Sequence, residues 1–339
     1  MRYRRLGFLL PALAMLTSIP GGWSGPALAQ EQRFHRIATG STAGTYFPIA
    51  ALIANAISNP AGGRACEEGG RCGVPGLIAA AVTSQGAVEN LSLLRRGMVE
   101  SAFVQADVAL AAYRGRGRFK DTEPFGKLRL ITNLYPESIH VVVRADTGIR
   151  GIAGLRGKRV SLGLPESGTL IEAQLVLEAH GLSETAVQPE YWSPSRSADQ
   201  LAEGNIDAFF FVAGAPAGAI AGLATRIAID LLPIEPAVAL RLTEQHPYLS
   251  LTTIPDGTYA NLPARVVLSV GAHWVTSADL DAEFVYLLTR ALWHPANRAL
   301  LDRGHPNGRL IRLESALDGA VIPLHEGAER FYREVGRLK

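Results

Sequence analysis

Thr39-Gly-Ser-Thr-Ala-Gly-Thr-Tyr-Phe-Pro48 follows a short apolar run and leads into a helical pattern over residues 49–57. Strand, polar turn, helix is the order in which α/β proteins present ligand-binding turns. Glycine and small hydroxyl residues in such a turn leave backbone N–H and side-chain O–H groups pointing at one spot. The helix start adds unpaired amide donors and a partial positive charge, so it suits a carboxylate or another small anion.

Working outward, the same rhythm repeats. Residues 34–40 read as a strand, 47–57 as a helix and 78–82 as a second apolar strand. A helix follows over 87–96, with Val88, Leu91 and Leu94 on one face, then a strand over 101–105 and a helix over 108–113 capped by Asp107. This predicts a largely parallel sheet with helical crossovers. A second unit has strands over 128–134, 139–144, 159–162, 206–212 and 227–231 and helices over 170–180, 198–203 and 219–223. Phe209, Phe210 and Phe211 are consecutive, so they face both sides of a strand and read as packing. After an extended run over 265–270 come two helices. One, over 279–293, is capped by Ser277 or Asp279; the other, over 323–338, is mixed and charged and expected on the outside. The fold class is α/β.

Residues 1–29 read as a signal peptide: Arg2, Arg4 and Arg5, then an apolar stretch from Leu6 to Leu16, then Ala27-Leu28-Ala29 as the cleavage site. This predicts a periplasmic protein. The formal net charge is +2, and the signal carries three arginines and no acid, so the mature chain sits near −1. That balance, without a long basic run, gives no footing for nucleic acid. Cys66 and Cys72 flank a Gly-Gly turn and are expected to form a disulfide in an exported chain, worth about 2 kcal/mol at most for so short a loop. A redox-active pair or half a metal site are the rival readings; the spacing is not C-x-x-C and no histidine is near in sequence.

Four polar turns fall at the predicted carboxyl ends of strands: 41–46, 105–107, 167–169 and 213–216. Each alone is an ordinary capped turn; their recurrence predicts that they converge on one cleft. The chain has no G-x-x-x-x-G-K-[ST], no complete G-x-G-x-x-G, no G-x-S-x-G and no H-E-x-x-H. Its eight histidines are not paired at metal-ligand spacing. Nothing assigns catalysis, a cofactor or a metal. Arg144, Arg196 and Arg265 are candidates to face a carboxylate.

The order and spacing of these motifs resemble the TAXI subclass of TRAP-transporter solute receptors. The matches are Thr39–Pro48 against a T-G-x-x-G-G-T-Y-Y-P-like stretch, Thr83-Ser-Gln-Gly-Ala-Val-Glu-Asn-Leu91 against T-x-x-x-S-V-x-N-L, and Phe103-Val-Gln-Ala-Asp107 against x-x-Q-S-D. Leu155–Val160, Ser167-Gly-Thr169 and 207–216 add to them. Ala43, Ala87 and Ala106 depart from the family's Gly, Ser and Ser. The resemblance implies a type II periplasmic-binding-protein fold, with residues 30–140 and 267–339 in one lobe, 141–266 in the other, and hinges near 141–144 and 266–270. It also implies a small organic anion as ligand (dicarboxylate, 2-oxo acid or amino acid) and delivery to an ion-gradient-driven TRAP permease. The implied ligand-binding residues are Ser41, Thr42, Thr45, Tyr46, Gln105, Asp107, Ser167, Gly168, Thr169 and Pro216. A sensory module for a membrane histidine kinase and an exported enzyme on the same fold are the alternative readings.

Overall fold

Alternate burial sets the first strand, β1 (Arg33–Ala38): Phe34 and Arg36 face solvent while His35 and Ile37 are buried. The computed structural model describes residues 32–339, so the predicted signal peptide lies outside the described residues. Helix α1 (Tyr46–Ile57) buries Ile49, Ile53 and Ile57, the i, i+4 spacing of one helical face. Next come β2 (Ser58–Asn59), β3 (Val74–Pro75), β4 (Leu77–Val82), α2 (Ala87–Arg95), β5 (Ser101–Gln105) and α3 (Ala106–Arg114). The long strand β6 (Leu128–Arg144) leads to β7 (Arg159–Ser161), α4 (Gly168–Ala179), β8 (Gln188–Glu190), α5 (Pro194–Ala202), β9 (Ala208–Ala213) and α6 (Gly218–Ala224). The chain continues through β10 (Ile229–Leu231), α7 (Pro236–Gln245), β11 (Leu249–Ile254), β12 (Arg265–Ser277), α8 (Ala282–Leu292), α9 (Arg298–Gly304) and α10 (Glu326–Glu334). Among the described residues no helix is long and apolar enough to cross a membrane.

The strands form one sheet in the order β3-β2-β4-β1-β5-β12-β6-β9-β7-β8, with β10 on β6 and β11 on β12. The α/β class is as read from the sequence, but the largely parallel sheet is not. Only the flanks are parallel, β4-β1-β5 on one side and β9-β7-β8 on the other. Between them β12 and β6 run antiparallel to each other and to their outer neighbours.

Residues 128–134 and 139–144 were expected as two strands and are one. Pro136 lacks an N–H and reads as a break, yet it sits exposed beside a register shift opposite Gly271, where the ladder tolerates a missing donor. Asp107 does not cap α3; Gln105 holds the N-cap position and Asp107 is buried in the first turn. Asp281, not Ser277 or Asp279, caps α8, accepting from the Phe284 N–H at 2.8 Å. The last helix is shorter than expected and not merely external: Phe331 and Tyr332 are buried in the cluster that holds Trp274, Ile49 and Ile53.

Cys66 and Cys72 are joined in a disulfide. The absence of a neighbouring histidine, read from the sequence, is corrected: His294 Nε2 lies 3.9 Å from Cys66 Sγ. These three residues are close enough to share a metal ion, but metal binding needs thiolates and both sulfurs are bonded to each other.

One polar triad lies within the apolar interior. Trp274 Nε1 donates to Ser101 Oγ at 2.8 Å, and the same oxygen lies 2.8 Å from His35 Nε2. All three are at most 1% exposed, and burial holds His35 down to about 4, so it is neutral. Ser101→Ala strips both partners of their hydrogen bond. Each buried polar group left unpaired costs about 1–3 kcal/mol, so denaturant unfolding is expected to show a loss of about 2 kcal/mol or more. A loss below about 0.5 kcal/mol, the scale of an ordinary surface change, would contradict this.

Candidate functional site

The helix starts meet in one place. Thr45 and Tyr46 at the head of α1, Gly86 and Ala87 at the head of α2, Gln105 before α3, and Ser167, Gly168 and Thr169 at the head of α4 all line a single cavity of about 60 Å³. That is room for a few water-sized groups. In α1, α2 and α3 no side chain caps the helix start. Four positive helix ends therefore face a small space that contains no Lys, Arg or His among its lining residues.

Of the residues implied by the sequence, Ser41, Thr45, Tyr46, Gln105, Ser167, Gly168 and Thr169 line the cavity. Thr42, Asp107 and Pro216 do not. Thr42 is exposed on the outside of its turn, where the Ser41 hydroxyl accepts the Ala43 N–H at 3.2 Å. Asp107 is buried in the first turn of α3, two positions beyond Gln105. In the fourth turn the lining stops at Ala213, before Pro216. Nor do the three arginines reach it. Arg144 pairs with Asp146, Arg265 pairs with Asp230, and Arg196 stacks 4.7 Å from the Trp192 ring centre.

Several side chains hold the walls rather than face the space. Thr45 Oγ1 accepts the Gly214 N–H at 3.0 Å, and Thr169 Oγ1 accepts the Val212 N–H at 3.2 Å. These hydroxyls tie two helix starts to the end of β9. Ser167 donates to the Leu164 carbonyl at 2.7 Å and accepts from the Leu170 N–H at 3.3 Å. Gly168 leaves room for the Gln105 side chain: a Cβ there would fall 2.2 Å from Gln105 Oε1 and push that side chain aside. Gln105 is 3% exposed, and that oxygen has no hydrogen-bond partner. Phe210 and Phe211 are core residues, as read from the sequence, and they also form part of the cavity wall together with Trp192.

Sequence reading missed Glu137. It lies mid-strand in β6, is 1% exposed, lines the cavity, and accepts the Tyr46 O–H at 2.6 Å. Its only sequence signal is that it is the one acid in the strand over 128–144. Burial pushes its carboxyl well above the usual range; the Tyr46 hydrogen bond opposes this and the nearby Asp107 adds to it. Two further acids lie behind. Burial raises Asp107 to about 6, against backbone hydrogen bonds that lower it, and burial together with Asp107 and Glu137 pushes Glu172 well above the usual range. Both Glu172 oxygens and Asp107 Oδ1 are buried without a donor, so a proton on Glu172 is what lets the two carboxyls bond to each other.

Residues 37–336 match the NMT1-like family. In fold the chain is similar to a protein from Bordetella bronchiseptica RB50, with 17% identity, a TM-score of 0.52 and coverage of 90% of this chain and 83% of that one. It is also similar to the alkanesulfonate-binding protein SsuA from Xanthomonas axonopodis pv. citri bound to MOPS (16% identity, TM-score 0.45, 90% and 85% covered). A TctC solute binding protein from Polaromonas aligns at 15% identity and a TM-score of 0.46, over 90% and 98% of the two chains.

The buried acids make stability depend on pH. An acid whose folded pKa is raised contributes fully below its unfolded pKa, near 4, and loses that contribution as pH rises toward the folded value, for Asp107 between about 4 and 6. His35, His140 and His273, each held at about 4 by burial, act in the opposite sense over an overlapping range. A difference between proteins isolates the acids. Glu172→Gln removes an ionisable group at constant shape, so its melting temperature relative to wild type is expected to climb steadily from acid to neutral pH. A difference that stays constant with pH would show that Glu172 is not held neutral.

Proposed function

The chain belongs to the NMT1-like family, and on that premise we propose that it is an extracytoplasmic solute receptor that binds a small organic anion and hands it to a membrane permease. The observation that carries this reading is the convergence of four helix starts on one cavity with no basic side chain, where the positive ends of the helix dipoles supply the potential. The Ser41 hydroxyl and the Gln105 amide add directed hydrogen bonds, and Trp192, Phe210 and Phe211 cover the apolar part of a solute. The classes proposed are dicarboxylates, 2-oxo acids and amino acids. The proposed partner is an ion-gradient-driven TRAP permease of the TAXI type, as the motif order suggests, and the proposed location is the periplasm, reached through the signal at residues 1–29.

We further propose that residues 30–140 with 267–339 and residues 141–266 move as two lobes about β6 and β12, adjacent strands that contain both proposed hinge segments. Contacts between those segments border the cavity: the Val88 and Glu89 N–H groups on the Glu166 carbonyl, Ala219 N–H on the Ala43 carbonyl, and Arg118 on Glu166 at 2.5 Å. Under this reading the narrow cavity of about 60 Å³ corresponds to the closed arrangement, and entry of a solute requires those contacts to open.

A thermal-shift series with dicarboxylates, 2-oxo acids and amino acids tests the receptor reading. A ligand of the folded state at about a hundredfold excess over its Kd stabilises by about 2.7 kcal/mol. Gly168→Ala displaces the Gln105 side chain from the wall and is expected to weaken the bound acid by about two- to tenfold, the worth of one hydrogen bond. No shift with any of these acids, or full affinity in a folded Gly168→Ala protein, would remove the cavity as the site. For the lobes, X-ray scattering should give a smaller radius of gyration with solute than without.

A further inference from the structure

The cavity pairs positive helix ends with an acid. Glu137 is the ionisable acid on its lining, and no basic residue stands on that lining to balance it. Among the described residues its carboxyl accepts one side-chain hydrogen bond, from the Tyr46 O–H to Oε2. The groups facing it are all neutral or acidic. Tyr46 approaches from α1, Tyr135 from its own strand, Asp107 from α3 and Glu172 from α4, while Tyr248 stands near the last two. From β12 the residue opposite is Val270. His140, on the same strand, is turned to the Phe211 carbonyl and the Tyr259 hydroxyl. An ionised Glu137 facing a bound carboxylate would repel it at close range in a dry site.

We propose that Glu137 is the specificity-determining residue of the solute site: as an un-ionised carboxylic acid it donates a hydrogen bond to the solute carboxylate, so the site selects a small monocarboxylate with an apolar body and takes up one proton with it. This rests on the receptor reading and narrows its ligand class. The unpartnered Gln105 oxygen, buried on the same wall, needs a donor, and a hydroxyl or water carried by the solute would supply one. A second carboxylate finds no Lys, Arg or His on the lining and meets Trp192, Phe210 and Phe211 instead. A solute ammonium would sit among four positive helix ends. Burial, which already pushes Glu137 well above the usual carboxyl range, keeps the proton in place once the cleft closes.

The proton sets the sign of the pH dependence. In the open, hydrated cleft Glu137 loses its proton more readily than in the closed one. Affinity for the monocarboxylate is thus highest at acid pH and falls by up to about tenfold per pH unit above the open-cleft value. An ammonium ligand paired to ionised Glu137 would show the reverse.

Calorimetric titration separates the cases, using 2-oxobutyrate, 2-oxoglutarate and 2-aminobutyrate at about pH 5.5 and about pH 8, each in two buffers of different ionisation enthalpy. The expected result is that 2-oxobutyrate binds tightest, weakens at least about tenfold between the two pH values, and takes up a proton at the higher one. Glu137→Gln is expected to take up one proton fewer and to bind 2-oxobutyrate more tightly than wild type at the higher pH. Tyr46→Phe removes the donor that favours ionised Glu137 and moves the fall in affinity to higher pH, which covers the case of a Gln variant that does not fold. Tighter binding of 2-oxoglutarate or 2-aminobutyrate, or the same proton count in Glu137→Gln, overturns this assignment and leaves the receptor reading standing. No binding of any organic or amino acid to the wild-type protein overturns both.

Discussion

The antiparallel pairing of β6 with β12 is the constraint from which the rest of the molecule follows. These two strands lie at the centre of the sheet, and each has a parallel unit on its outer side. Because parallel strands need crossovers, each unit brings its helices to begin at the same end of its strands. The central pair turns the two sets toward each other, so α1, α2 and α3 open opposite α4. Without an antiparallel centre the helix starts would not surround a common space. The pairing also places Glu137, a mid-strand residue, at the floor of that space.

The interior is built around neutral polar groups held by one or two partners each. Ser101 serves Trp274 and His35 at once, and His140 lies between the Phe211 carbonyl and the Tyr259 hydroxyl. In each case burial keeps the imidazole un-ionised. The acids behind the cavity follow the same rule with fewer partners, since Asp107 and Glu172 have buried oxygens that receive no donor. Burying a polar group without a partner costs free energy, and such groups concentrate at functional sites more than elsewhere.

Much of this was legible in the residues. The Thr39–Pro48 stretch announced a strand, a turn and a helix, and β1 and α1 lie within a residue or two of the expected limits. Seven of the ten residues implied for the site do line one cavity. What escaped was whatever depends on a distant partner. Pro136 looks like a break until Gly271 is seen opposite it. Asp107 has the composition of a cap, but the helix starts two residues earlier and buries it. Glu137 is one acid among 31, and only the contact with Tyr46, ninety-one positions away, sets it apart. His294 meets the cysteines across a still longer separation.

The donors at the helix starts belong to the main chain. A point substitution removes a side chain but leaves a peptide N–H in place unless the newcomer is proline. In the proposed receptor the helix-start donors are therefore carried by the backbone path and are insulated from mutation. The walls made by Trp192, Phe210 and Phe211 are not. Under the receptor reading, divergence among proteins of this construction should fall unevenly: the donors at the helix starts persist over long descent, while the apolar walls and the acid at Glu137 can be exchanged one side chain at a time.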